Sequence, residues 1–123
     1  MLSSKKNDSI RFNQGKIQIL ETDQNRTISG NHGGSILCGI PTIGYGRFYQ
    51  ARLAGISADA VVTIPRIYAS LLDKDLVELE RFDRKEKGIY RIVQVQDRFD
   101  SAPPCLQMTL QKEKVRYVDL RET

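Results

Sequence analysis

The sequence contains no tryptophan, one histidine and only two cysteines, and this scarcity limits the chemistry that the chain can perform. Zinc sites need clusters of cysteine and histidine, often with a CxxC spacing that is missing here. Cys38 and Cys105 lie far apart in predicted strands, where buried free thiols are more typical than a disulfide. His32 has no cysteine or carboxylate constellation beside it in the sequence. We therefore predict no metal site and no cofactor.

The same scarcity argues against an enzyme. A nucleophile–histidine–acid arrangement would have to use His32, which lies in a glycine-rich segment beside no obvious base. Glu78 and Glu80 are two residues apart on the polar face of a predicted strand, where a solvated surface is the ordinary interpretation. No catalytic residue is predicted.

Long apolar runs and one-sided charge are also missing. No segment approaches the roughly 20 consecutive apolar residues that cross a bilayer, and no apolar run follows Lys5 and Lys6 as in a secretory signal. The net charge is +4, but lysines, arginines and carboxylates are mixed along the chain. A dedicated nucleic-acid-binding protein shows a basic stripe with interleaved aromatic residues, so only weak, non-specific contact with DNA is expected.

What the sequence does contain is a strong β pattern between residues 88 and 113. Residues 89–95 are rich in β-branched and aromatic side chains, and residues 105–111 alternate between apolar and polar. A period of two predicts strands with one buried face. The connection between them holds Pro103 and Pro104, which suit a loop because proline cannot continue a strand ladder. We predict a β-hairpin that needs further strands for stability.

The rest of the chain supplies candidates for those strands. Strands are predicted at 15–21, 35–43, 60–64 and 75–82, while 47–53 is a strand or one helical turn and 66–74 is a short helix or crossover. Short strands at this spacing are typical of a small barrel or sandwich. We predict a mainly β protein, a closed or partly open β-barrel of about six strands with little helix. The predicted organisation is a flexible N-terminal arm (1–14), the barrel (15–113) and a charged C-terminal tail (114–123).

Residues 22–34 are the most unusual part of the sequence, because turn-forming residues dominate and Ile28 is the only aliphatic side chain. Glycine, asparagine and aspartate favour positive φ and local hydrogen bonds over a ladder. We predict a long polar loop between early strands, a feature that is often functional but can also be a hairpin tip without a role. It consists of Thr22, Asp23, Gln24, Asn25, Arg26, Thr27, Ile28, Ser29, Gly30, Asn31, His32, Gly33 and Gly34.

The order of motifs resembles a known family. GRFYQARLAGISADAVVTIPRI, DLVELERF, KGIYRIVQVQ and CLQMTLQKE follow one another along residues 46–113. The FYQA segment is residues 48–51, the glycine link is 54–56, and Gly88, Tyr90 and Ile92 match a GkxYxI element. In this order the chain is similar to the head-closure proteins of long-tailed bacteriophages and prophages, also called head–tail connector, stopper or adaptor proteins.

The resemblance implies a structural virion protein that is made in the bacterial cytoplasm and located at the head–tail interface. Such proteins form a ring beneath the portal and adaptor proteins, and they retain the packaged double-stranded DNA. A tail terminator or tail-completion protein docks below. By position, residues 22–34 would be the loop that plugs the channel, with Arg26 and His32 facing DNA phosphates.

Two further expectations concern partners and alternatives. Exposed strands and terminal arms can pair with neighbouring subunits by strand addition. The residues expected at inter-subunit or adaptor contacts are Ile10, Phe12, Val115, Tyr117 and Leu120. The alternatives are a tail-completion protein of similar fold or a small OB-like nucleic-acid-binding module. The OB alternative would need bases to stack on Phe48, Tyr49 and Tyr90.

Overall fold

A computed structural model describes residues 11–23, 25–41, 59–100 and 102–121. In this part of the chain the protein is mainly β with little helix, as predicted. The strands are β1 (Gly15–Thr22), β2 (Thr27–Asn31), β3 (Ile36–Cys38), β4 (Ala60–Pro65), β5 (Leu76–Arg81), β6 (Glu86–Arg98), β7 (Cys105–Lys112) and β8 (Val118–Asp119). A 3-10 helix, Arg66–Leu71, follows β4 at the position of the predicted short helix.

The eight strands form one sheet in the order β4-β7-β6-β5-β1-β2-β8, and β3 also pairs with β1. All neighbours are antiparallel except β2 and β8, which are parallel. The sheet is not closed into a barrel, so the closed form among our predictions is wrong, and the described residues form eight strands where about six were predicted. A bridge outside the strands, between Gly39 and Thr63, links the chain after β3 to β4.

Gly39 permits this bridge because its backbone is closely surrounded. A Cβ atom there would lie 2.6 Å from Thr63 Oγ1 and would clash with the carbonyl of Arg11. The backbones of Gly39 and Thr63 exchange two hydrogen bonds, with N···O distances of 2.8 and 2.9 Å. Glycine is the only residue that fits such a close approach without a shift of the neighbouring chain.

The hairpin predicted from the alternating pattern is confirmed as β6 and β7. β6 is longer than predicted, and its register against β7 shifts by one residue between Ile92 and Gln94. A β-bulge of this kind increases the local twist of the sheet. β5 pairs with residues 86–91 of β6 only, so the hairpin extends beyond β5 toward its tip at residues 99–104.

The main core lies on one face of the sheet and follows the period of two. Alternate residues of β1, β3, β4, β5 and β7 contribute to it, and the 3-10 helix adds the partly buried Tyr68 and Leu71. The buried members are Ile17, Ile19, Ile36, Cys38, Ala60, Val62, Ile64, Val77, Leu79, Leu106, Met108 and Leu110. β4 and β7 are buried on their other face as well, where Val61, Thr63, Gln107 and Thr109 lie.

The prediction of a long loop at residues 22–34 is wrong. It contains β2, which pairs with the end of β1 on one side and with β8 on the other. Ile28, the second residue of β2, is fully buried in a second, smaller cluster with Leu20 and Leu76. One aliphatic residue therefore anchors a segment whose other residues are typical of turns.

Several predictions fall outside the described residues. These are the segment 47–53, the FYQA motif, the glycine link at 54–56, and Ile10 and Gln24 among the candidate contact and plug residues. Among the described residues no helix is long and apolar enough to cross a membrane.

Candidate assembly surfaces

The β1–β2 connection is a short turn that its own side chain stabilises. Asp23 Oδ1 accepts hydrogen bonds from the backbone N–H of Asn25 (2.9 Å) and of Thr27 (3.1 Å). Arg26 adopts a left-handed conformation with φ 58°, and its side chain is exposed. An aspartate that bonds the backbone two and four residues on stabilises a tight turn. Asp23 thus fixes the backbone of Asn25 and Thr27 at one end of the segment that we predicted as a plug.

The other end of that segment is a bend at residues 32–34, which is also fastened to the sheet. The backbone N–H of His32 donates to the carbonyl of Ile19 (2.7 Å), and Gln18 Nε2 donates to the carbonyl of Gly33 (3.0 Å). Gly33 has φ 76° and lies against Leu71 of the 3-10 helix. Residues 27–38 consequently run along β1 as β2, a bend and β3.

His32 has two carboxylate neighbours, contrary to the prediction that it stands alone. Its Nδ1 lies 3.6 Å from Glu21 Oε2 and its Nε2 lies 3.2 Å from Asp73 Oδ1. Lys74 Nζ lies 3.2 Å from Glu21 Oε1, and this lysine holds the pKa of the Glu21 carboxyl below its ordinary value, with His32 adding to the effect. These ion pairs link Glu21 of β1 and His32 of the bend to the connection before β5. They are mostly exposed and individually weak.

Part of the predicted charged tail is attached to the sheet. Residues 114–121 are here called the C-terminal strap, and residues 118–120 of this strap run beside β2. The N–H of Val118 donates to the carbonyl of Arg26 and that of Leu120 donates to the carbonyl of Ile28, both at 3.0 Å. The strap therefore forms the edge strand of the sheet.

Tyr117 is the apolar anchor of the strap. Its ring packs against the smaller cluster that contains Ile28. Its hydroxyl accepts a hydrogen bond from Arg91 Nη2 (3.2 Å), and the same Arg91 nitrogen donates to Glu113 Oε2 (2.6 Å). Glu113 is largely buried, and its pKa is below the ordinary value: burial acts to raise it, but hydrogen bonds from the Val115 backbone and from Arg91 outweigh that effect.

Arg121 is the charged anchor, and only 11% of its side chain is exposed. Its guanidinium donates to Asp119 Oδ2 (2.7 Å), Glu78 Oε1 (3.2 Å) and Asn31 Oδ1 (3.0 Å). The hydrogen bond to Asp119, followed by that to Glu78, raises the pKa of Arg121 above its already high value. A forked guanidinium suits such a multiple contact better than an ammonium group would. Arg121 thus fixes the strap to β2 and β5.

Exposed apolar side chains form a second surface at the end of the β6–β7 hairpin. Ile67 and Phe99 are 80% and 70% exposed, and Val95 is 43% exposed. Arg66 Nε lies 2.9 Å from Asp97 Oδ1, which brings the start of the 3-10 helix beside the hairpin. We call Ile67, Val95 and Phe99 the tip patch. Exposed apolar groups rimmed by charge are typical of protein contact sites.

The residues expected at inter-subunit or adaptor contacts differ in their exposure to solvent. Val115 and Leu120 are exposed and remain available for contact, and Phe12 is half-buried. Tyr117 is partly buried, because its ring packs against the smaller cluster. Sequence reasoning missed the tip patch, although Phe99 in a polar turn was a visible signal. It also missed Arg121, whose partners lie 43 and 90 residues away.

Other features give weaker functional signals. A pocket of about 370 Å³ is lined by Asn13, Gln14, Ile40, Arg81, Phe82 and Asp83. Among the described residues no group of three or more His, Cys, Asp or Glu side chains is arranged to hold a metal ion. Tyr90, one of the aromatics of the OB alternative, packs against the core, and Lys112 Nζ lies 5.8 Å from its ring centre.

Comparisons of this chain with protein-family models, curated proteins and solved structures find no match.

Proposed function

We propose that this chain is a head-closure protein of a long-tailed bacteriophage or prophage, a non-enzymatic component that forms a ring below the portal and adaptor. The proposal depends mainly on the ordered motifs of the sequence. Three of them overlap β5, β6 and β7, and the end of the first motif covers β4 and the start of the 3-10 helix. These strands are contiguous in the sheet as β4-β7-β6-β5. The motifs that carry the resemblance therefore lie on adjacent strands of one side of the sheet.

A ring requires a heterologous contact, in which two different surfaces of the same chain meet. The tip patch and the exposed face of the strap are two such surfaces, with Val118 60% and Leu120 47% exposed. They belong to different regions of the sheet, since β8 is its edge strand and the tip patch lies at the β6–β7 hairpin. These two apolar surfaces are candidate contact sites for a head-to-tail ring or for a docking partner.

The channel-closing role remains a prediction, now restricted to the tip at residues 23–26. Arg26 is exposed there, so symmetric copies would present a ring of positive charge to DNA phosphates without sequence specificity. His32 suits a phosphate contact less well, because Glu21 and Asp73 flank its ring.

The experiment is deletion of the reading frame in the phage or prophage that carries it, followed by electron microscopy of the induced particles. Loss of a head-closure protein leaves heads that have lost DNA, or whose DNA is open to nuclease, beside separate complete tails. Expression of the wild-type chain from a plasmid should restore joined virions. Normal joined virions from the deletion strain would contradict the proposal.

The tail-completion alternative predicts a different result from the same deletion. Heads would then retain nuclease-resistant DNA, and the defect would be visible at the end of the tails. The OB alternative finds no support in Tyr90, whose ring packs inward. Salt-sensitive binding of single-stranded DNA by the purified chain would revive it.

A further inference from the structure

The C-terminal strap occupies a groove that is built to hold one particular extended peptide. We propose that in the assembled ring this groove binds the strap of a neighbouring copy, so that subunits are joined by strand exchange. The inference rests on the proposed ring and adds to it the segment that links the subunits and the site that receives it.

The groove recognises the strap at three points. The carbonyl groups of Arg26 and Ile28 accept the two backbone hydrogen bonds. Leu20, Ile28 and Leu76 form the apolar site for the Tyr117 ring. Glu78 and Asn31 receive the guanidinium of Arg121. The ligand is therefore a short extended segment with an aromatic residue and, four positions later, an arginine.

Besides these points, a hydrogen bond from Arg91 to the Tyr117 hydroxyl holds the strap to its own molecule. The rest of the strap is loosely attached. β8 is two residues long, and the residues that connect it to β7, Lys114 to Arg116, are all exposed. Val118 and Leu120 bury only part of their side chains. Segments with few buried apolar contacts and exposed backbone hydrogen bonds open at a lower free energy than the sheet beneath them.

Exchange between copies preserves every contact of the strap. An exposed connection can redirect the segment into an identical groove of a neighbour, which is why exchange of terminal elements is a low-cost route to assembly. Within a ring the neighbouring groove is always close, and its effective concentration is high. The closed form suits a free subunit and the exchanged form suits the ring.

The register between β2 and β8 provides a direct test. Thr27 and Val118 are Cα partners, and neighbouring strands lie about 5 Å apart, a separation that a disulfide can bridge. The native thiols do not interfere, because Cys38 and Cys105 are fully buried. The full-length double variant Thr27→Cys/Val118→Cys is expressed in the deletion strain, and the particles are oxidised and analysed without reductant.

Strand exchange predicts a ladder of covalently linked copies. Each single variant, Thr27→Cys or Val118→Cys, should give none, and an equal mixture of the two should give dimers only. Thr27→Cys/Val115→Cys is the matched control, because Val115 lies three residues out of register and should not link.

Every other outcome overturns the inference. Particles that contain only internally linked monomers would show that each strap stays in its own groove, and the head-closure role would stand. No linkage at all would contradict the pairing of β8 with β2. Absence of the chain from the particles would overturn the proposed function itself, which separates the two failures.

Discussion

Ile28 determines how residues 22–34 fold. It is the only aliphatic side chain in that stretch, and it is fully buried against Leu20 and Leu76. The turn at Asp23 and the bend at His32 provide the reversals that its polar neighbours favour. A single buried residue between two turns is sufficient for a strand where composition alone indicates a loop.

This arrangement predicts a large effect of Ile28→Ala. Truncation of a fully buried isoleucine should lower the free energy of unfolding by about 2–4 kcal/mol, because a cavity is left in the smaller cluster. Urea denaturation followed by circular dichroism measures the change. Ser29→Ala, at the exposed neighbouring position, should stay within about 0.5 kcal/mol. Equal effects of the two changes would indicate that the segment is a loop.

Cys38 leads to a prediction about alkaline pH. Burial raises the pKa of its thiol from 9.0 to about 12, although the charge of Arg81 opposes the shift. The unfolded chain therefore loses this proton at lower pH than the folded chain does. The contribution of Cys38 to stability is complete below pH 9 and is lost as the pH rises toward 12, with a slope of up to about 1.4 kcal/mol per pH unit.

The measurement is the free energy of unfolding between pH 8 and 11 for the wild-type chain and for Cys38→Ala. Lysines and tyrosines titrate in the same range, so the difference between the two slopes is the informative quantity. The variant should lose stability less steeply above pH 9. Parallel slopes would show that the thiol ionises in the folded state as readily as in the unfolded one.

Among the elements, the β6–β7 hairpin was predictable from its local pattern, whereas β2 and β8 were not. Leu106, Met108 and Leu110 alternate with polar residues, so the local pattern alone determines the strand and its buried face. β8 depends instead on Arg121 meeting Glu78 and on Tyr117 meeting Ile28. Such contacts join residues far apart in sequence, and no local pattern reports them.

The same reasoning applies to the candidate surfaces. The tip patch arises because the 3-10 helix and the hairpin meet through Arg66 and Asp97, which are 31 residues apart. His32 acquires its carboxylate neighbours in the same way, since Asp73 comes from the connection before β5. Sequence reasoning identified the polar and turn-forming residues correctly, but it had no information on which of them the fold brings together.

The attachment of the strap to the sheet gives a prediction about the local stability of β8. Arg121→Ala removes the guanidinium that joins the strap to Glu78 and Asn31. A loss of about 1–2 kcal/mol in local stability should speed amide exchange of Val118 and Leu120 by roughly 5–30-fold. Amides of β7 should be unaffected, because that strand is paired on both sides.

Hydrogen exchange followed by mass spectrometry or NMR provides the test. Arg116→Ala is the matched control, since Arg116 is an exposed arginine of the same strap. Its exchange rates should stay close to those of the wild-type chain. If Arg121→Ala left the rates of Val118 and Leu120 unchanged, Tyr117 and the backbone would be the only anchors that matter.

At the scale of the whole molecule, an open sheet places its contact surfaces at its edges and tips. β8 forms one edge, and the hairpin tip with the 3-10 helix forms a separate surface. The turn at residues 23–26 lies at the end of β1, next to the strap, which bonds to the carbonyl of Arg26. If straps are exchanged in a ring, the contact between two subunits lies at β2 and β8. This contact would therefore lie next to the turn at Arg26, which is expected to face the channel.

The tip patch can be tested independently of the strap. Ile67→Asp and Phe99→Asp each place a charge on a side chain that is mostly exposed, so the free energy of unfolding should change by no more than about 0.5 kcal/mol. If the patch is buried between subunits or against a partner, desolvation of the new charge should prevent assembly. Complementation of the deletion strain, with the titre of joined virions as the readout, measures this.

Leu37→Asp is the matched control, because Leu37 is 54% exposed and lies on β3, which pairs with β1 and not with the hairpin. Virion titre should fall for the two tip-patch variants and stay near the wild-type level for Leu37→Asp. Full titre from Phe99→Asp and Ile67→Asp would leave the strap as the main contact surface. A loss for all three variants, each with unchanged stability, would instead indicate that partners cover most of the subunit.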